Sequence, residues 1–115
     1  MYNSLKLIIC VSAPSEAPKW IPAVTKNSTS IELAWEPVPE RDLNGNLTEY
    51  IIRYKDGETI IRRHVERYRQ KVVINGLKAS TTYSFKILAA TVKGEGPLSK
   101  PTEARTDGEK NKLNS

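Results

Sequence analysis

The chain has 115 residues, 38% of them hydrophobic and 27% charged, with a formal net charge of +5. That length buries a single core, and that balance excludes a disordered or membrane-embedded class. One cysteine, Cys10, and one histidine, His64, exclude an internal disulfide and leave a zinc site short of most of its ligands.

In chain order, residues 1–13 (MYNSLKLIICVSA) combine a lysine, a short apolar run and small residues at Val11-Ser12-Ala13. They read as a leader: a secretory signal, or the remnant of a preceding segment. The run Leu7 to Val11 spans five residues, far below the roughly 18 of a membrane span, so no membrane contact is expected of this fragment. Residues 13–18 (APSEAP) read as a linker, because proline blocks helix and donates no ladder hydrogen bond.

Strands follow. One is expected from Lys19 to Lys26. Ser30 to Trp35 alternates, with Ile31, Leu33 and Trp35 on one face and Ser30, Glu32 and Ala34 on the other. Pro37 and Pro39 end it, and Asn44-Gly45-Asn46 is a turn signal. Leu47 to Lys55 resumes the period of two with Tyr50, Ile52 and Tyr54 inward, and Asp56-Gly57 turns the chain again. Glu58 to Glu66 is a strand without a settled register. Val72 and Ile74 form a short strand ending at Gly76. Thr81 to Val92 is a long one burying Tyr83, Phe85, Ile87 and Ala89. Gly94 to Pro97 is read as a turn and Leu98 to Thr106 as the last strand.

Seven strands, each with one apolar face, must pair those faces, and two packed antiparallel sheets achieve this. The expected core is Trp35, Tyr50, Ile52, Tyr54, Leu77, Tyr83, Phe85 and Ile87. A buried large side chain contributes roughly 1.5–3 kcal/mol, so the aromatics in that set should dominate stability. Tyr83 raises a question of its own, since its phenol opens a strand that is otherwise buried.

Little in the chain supports bond-making chemistry. One histidine without a motif around it is a poor basis for a Ser-His-acid or Cys-His arrangement. Gly94-Glu95-Gly96 continues as Pro-Leu-Ser, which breaks the dinucleotide fingerprint. No catalytic, cofactor-binding or metal-binding residue is expected, and no cofactor. Two triplets, Asn27-Ser28-Thr29 and Asn46-Leu47-Thr48, match the N-glycosylation acceptor and fall in expected loops; both asparagines would equally serve as turn residues. Arg62, Arg63, Arg67, Arg69 and Lys71, against Glu66, hold four of the five net positive charges within residues 62–71.

A series of residues now falls into one order. It comprises the lead-in ending at Pro18, Trp35 followed by Pro37, and Tyr50-x-Ile52-x-Tyr54 after an Asn-Gly turn. Leu77-x5-Tyr83-x-Phe85, Ala89, Gly94-x-Gly96-Pro97 and Ser99 follow. In this the chain resembles a fibronectin type III domain over about residues 14–108, with 109–115 left as a polar tail. The Asn-Gly turn, Gly-x-Gly-Pro and Ser99 look most like modules of receptor-type tyrosine phosphatases and immunoglobulin-superfamily adhesion molecules. Trp20 departs from the pattern, which usually has a smaller or more polar residue there.

The resemblance implies a seven-stranded, immunoglobulin-like antiparallel β-sandwich with no catalytic activity. It implies that Tyr83 forms a tyrosine corner, its hydroxyl bonded to backbone a few residues upstream. It implies a structural and recognition module on the extracellular side of the cell surface, within a larger membrane or secreted protein. The alternative is a cytosolic structural module of a muscle or scaffolding protein. In such a domain the Tyr50–Tyr54 and Tyr83–Ile87 strands are neighbours and the Arg62–Arg63 strand is a sheet edge. Ile51, Arg53, Lys55, Lys86 and Leu88 would then share an exposed outer face. Arg53, Lys55, Arg62, Arg63, Arg67, Arg69, Lys71 and Lys86 become a candidate surface for an anionic partner, against the reading of a charged edge that merely discourages pairing. The partners implied are neighbouring domains of the same chain and a protein ligand or sulfated glycan. Nucleic acid is disfavoured, since Tyr68 alone is free to stack on a base.

Overall fold

The computed structural model describes residues 13–108. The leader reading of residues 1–13, Cys10 and the tail at 109–115 lie outside the described residues, Ala13 excepted. The elements run β1 Lys19–Thr25, β2 Ile31–Glu36, α1 Glu40–Leu43, β3 Leu47–Asp56, β4 Thr59–Glu66, β5 Lys71–Ile74, β6 Thr82–Thr91, β7 Gly94–Glu95 and β8 Thr102–Arg105. They form an all-β sandwich of two antiparallel sheets. One is ordered β1-β2-β5; the other is β4-β3-β6, with β7 and β8 both paired to the far side of β6.

The period of two explains the core. Ile31, Leu33 and Trp35 from β2, Val72 and Ile74 from β5, Tyr50 and Ile52 from β3, and Tyr83, Phe85 and Ile87 from β6 meet between the sheets, all buried. Trp35 lies edge-on to Tyr50 with ring centroids 5.3 Å apart. Tyr54, near the open end of β3, is only partly covered and packs on Phe85 at 5.2 Å. Burial raises the phenol pKa of both Tyr50 and Tyr54. Trp20 joins this core as well: it sits opposite Trp35 in the β1–β2 register, 6.1 Å away and edge-on. Further along β1 the pairing slips by one residue between Ile21 and Val24, where Pro22 has no N–H to give.

Three expectations need correction. The last strand is split in two, and the turn before it lies at Val92-Lys93, joining β6 to β7, with Glu95 already in a ladder. Pro97 and Pro101 cannot donate, so the chain between them is held by single contacts. Gly96 and Ser99 N–H donate to the Ala89 and Ile87 carbonyls, and Ser99 Oγ accepts the Ile87 N–H at 3.0 Å. Second, the turn before β3 contains α1, a single helical turn after Pro39 that Asn44 stops in the left-handed region at φ 58°. Third, Ile51 and Leu88 are buried, not exposed. They do face away from the main core, but with Ala90 they form a second cluster under Leu98.

Candidate functional site

The outer face of the larger sheet carries a close group of cations. Arg53 on β3 stands directly opposite Arg62 on β4 and Lys86 on β6, a row of three cations across adjacent strands. Lys55 lies two residues along β3 on the same face, opposite Ile60. Like charges directly opposite one another destabilise a sheet, so each needs an offset. Arg62 has one: its guanidinium reaches Glu95 of β7 at 2.6 Å, spanning the two strands that carry Ile51 and Leu88. Arg53, Lys55 and Lys86 have no carboxylate within ion-pair distance among the described residues.

These three cations line an open groove of about 510 Å³ at the β3–β4 turn end of the sheet. Its other lining includes Ile60, Lys78, Thr81, Thr82 and Ser84. Asp56 is the one carboxylate in it, 3.9 Å from Lys78 Nζ. Asp56 also ends β3, where Gly57 at φ 67° makes the two-residue turn that an L side chain would strain. Lys78 was not among the residues singled out from sequence, because it sits in a turn where no periodicity gives its direction.

The rest of the basic segment is dispersed. Arg63 points to the opposite face of β4 from Arg62 and is exposed on that edge strand. Arg67 and Arg69 lie in the turn between β4 and β5, where Arg69 pairs with Glu66 at 2.9 Å. Lys71 belongs to β5 in the other sheet and approaches Glu32, which Lys26 also contacts at 3.3 Å. The hydrogen bond from Lys26, with both cations nearby, holds the Glu32 carboxyl below its ordinary pKa. His64 Nδ1 contacts Glu49 Oε1 at 2.8 Å on an exposed surface. Among the described residues no hydroxyl or thiol is hydrogen-bonded to that ring, and no three His, Cys, Asp or Glu side chains gather as a metal site.

The two acceptor triplets differ in their surroundings. Asn27 is exposed between β1 and β2, and its Oδ1 accepts hydrogen bonds from Thr29 N–H at 2.9 Å and Thr29 Oγ at 3.2 Å. Asn46 is exposed too, but Thr48 Oγ donates instead to the Ala90 carbonyl at 3.0 Å.

Both ends of the domain are tied to its body. At the incoming end, Asn44 Nδ2 donates to the Ala13 carbonyl at 3.0 Å and Ser15 N–H to the Asp42 carbonyl at 2.8 Å. At the outgoing end, Thr25 Oγ donates to the Arg105 carbonyl at 2.8 Å and Asp107 N–H to the Asn27 carbonyl at 3.2 Å. Thr106, buried, donates its hydroxyl to the Lys78 carbonyl at 2.6 Å and accepts the Thr81 N–H at 2.9 Å. The incoming ties are in the β2–β3 connection and the outgoing ones in the β1–β2 and β5–β6 connections. These lie at opposite ends of the strands they join, so the chain enters at one pole and leaves at the other.

Tyr83, finally, is buried and its phenol oxygen accepts the Lys78 N–H at 2.9 Å. Leu77, also buried, precedes that donor. The sequence model described as Fibronectin type III domain matches residues 16–105. The chain belongs to the fibronectin type III family. Among curated proteins it is 34% identical over 100 residues to receptor-type tyrosine-protein phosphatase F of Mus musculus, covering 84% of this chain and 5% of that one. It is 33% identical over 96 residues to neogenin of Rattus norvegicus, covering 81% and 7%. The solution structure of the fn3 domain of human contactin 1 superposes with a TM-score of 0.74 at 28% identity, covering 85% of this chain and 82% of that one. The chain thus spans about one-twentieth of the curated relatives it matches. The fibronectin type III fold is non-catalytic in itself, and the phosphatase is matched only over its region of that fold.

Proposed function

We propose that this fibronectin type III module is a non-catalytic spacer and recognition unit of a larger receptor or adhesion protein, on the extracellular side of the cell surface. Its function is to hold neighbouring domains at a fixed geometry and to present one sheet face to a ligand. The observation that carries the reading is the anchoring of the chain at both poles, from Ala13 to Asp42–Asn44 and from Arg105–Asp107 to the turns around Asn27 and Lys78–Thr81. Strands of ten residues, such as β3 and β6, rise about 3.3 Å per residue. A module of this kind sets its neighbours roughly 30 Å apart, without slack at either tie.

A module that spans a small part of a long receptor-type protein is what the likeness to phosphatase F supports. The exposed acceptor triplets at Asn27 and Asn46 support a secretory route. Amide hydrogen exchange tests the spacer role. The N–H groups of Ser15, Thr106 and Asp107 are expected to exchange only with global unfolding, and exchange at the rate of a frayed terminus would remove the fixed geometry. Secretion from a eukaryotic host tests the compartment. A mass increment that Asn27→Gln or Asn46→Gln abolishes supports the cell surface, whereas a chain that folds only in the cytosol supports an intracellular structural module.

A further inference from the structure

We propose that the groove bordered by Arg53, Lys55, Lys78 and Lys86 binds a linear, sulfated glycan; this rests on the recognition role above and names the ligand for it. The inference starts from the placement of charge. Arg53 and Lys86 are directly opposite on paired strands, an arrangement that costs folding stability. Several other cations are given a carboxylate: Arg62 has Glu95, Arg69 has Glu66, Lys78 has Asp56, and Lys26 and Lys71 share Glu32. Among the described residues Arg53, Lys55 and Lys86 have none, and all three line the groove. The charge missing from the fold is the charge a ligand would bring.

The spacing of the cations selects the class of polyanion. Neighbouring strands lie about 4.8 Å apart and same-face residues along a strand about 6.8 Å apart, so these cations form a two-dimensional array. An acidic peptide laid alongside in extended form offers its carboxylates on one face at the longer interval only. A sulfated polysaccharide carries anions on several sides of each sugar and can reach both rows. The hydroxyls of Thr81, Thr82 and Ser84 between the cations suit sugar hydroxyls, which both donate and accept. Nucleic acid fits less well, since the aromatic residues at the groove, Tyr54 and Tyr83, are engaged with each other and with Phe85 and leave no free ring for a base. Asp56, the one carboxylate in the lining, sits beside Lys78 and would turn an anionic chain towards Arg53 and Lys86.

Binding of the whole chain to immobilised heparin, measured across a salt series, tests this. Fully desulfated heparin and polyglutamate serve as comparison ligands. The double variant Arg53→Gln/Lys86→Gln is expected to weaken heparin binding roughly 10- to 30-fold, at about five-fold for each cation near an anionic surface. It should also melt at a higher temperature, because like charges have been separated. Arg67→Gln/Arg69→Gln removes the same charge away from the groove and should change binding by less than about two-fold, since exposed charges beyond a Debye length are screened. Equal losses in both variants would mean attraction to net charge alone and would overturn the site. Equal retention on desulfated heparin would overturn the sulfate requirement, and preference for polyglutamate would assign the groove to an acidic protein. None of these results alters the exchange protection at Ser15 and Asp107, so failure of the glycan site and failure of the spacer reading are told apart.

Discussion

Tyr83 shows why one polar atom can be worth keeping in a dry core. Its ring is stacked 6.3 Å from Phe85 and its hydroxyl oxygen is the acceptor for the Lys78 N–H, a backbone donor in a turn with no ladder partner. Tyr83→Phe keeps the ring and removes the acceptor. It should leave the fold and the urea m-value intact and lower stability by about 1 kcal/mol or somewhat more; superimposable melts of the two proteins would show the bond to be worthless. This contact was legible in the sequence only through the family resemblance, in which Leu77-x5-Tyr83 implies a tyrosine corner; the spacing alone showed a phenol at the mouth of a buried strand. Gly96 was legible only as a turn residue. Its real constraint is a crossing: a Cβ there would lie 2.8 Å from Pro14 Cβ and 3.0 Å from the Pro14 carbonyl, so the lead-in passes over the split last strand at a point where only glycine fits.

At the scale of the element, alternation assigned inward and outward faces correctly for β2, β3 and β6, but outward did not mean exposed. Ile51 and Leu88 sit on the outer face, and a segment from far along the chain, carrying Leu98, returns to cover them. That return follows from Pro97 and Pro101, which prevent a regular ladder and let the chain lift over the sheet; strand periodicity contains no trace of it. The basic segment was misjudged as a unit for a related reason. Arg62 and Arg63 alternate across β4, while Arg67 and Arg69 are in a turn, where the period of two has no meaning. The direct test of the covered face is Leu88→Ala. A leucine on an open surface could be truncated at a cost within about 0.5 kcal/mol. With Leu88 only 4% exposed, the loss should be about 2 kcal/mol, the low end for a buried leucine because the cluster beneath Leu98 is small and can partly close. Urea denaturation with an unchanged m-value measures it, and a loss within the surface range would restore the exposed apolar face expected from sequence.

At the scale of the whole molecule, the proposed spacer role requires stiffness to extend through the residues that leave the sandwich. On that proposal the bonds that hold the outgoing chain matter as much as the core. β8 has only four residues and is followed by Thr106, whose hydroxyl joins the Lys78 carbonyl to the Thr81 N–H, the same turn that Tyr83 grips from below. The two anchors therefore share one piece of backbone, and loosening the turn should loosen the exit. Thr106→Val preserves shape and removes both bonds, leaving a carbonyl and an N–H in a part-buried position. The expected global cost is about 1–3 kcal/mol. The more telling readout is local: Ser80, Thr81 and Asp107 amides should exchange faster than the core by opening short of global unfolding, while β3 and β6 amides follow the global stability. If those amides instead slow or quicken only in step with the core, the exit is held by the sandwich as a whole. Thr106 is then a passenger in a stiffness generated elsewhere.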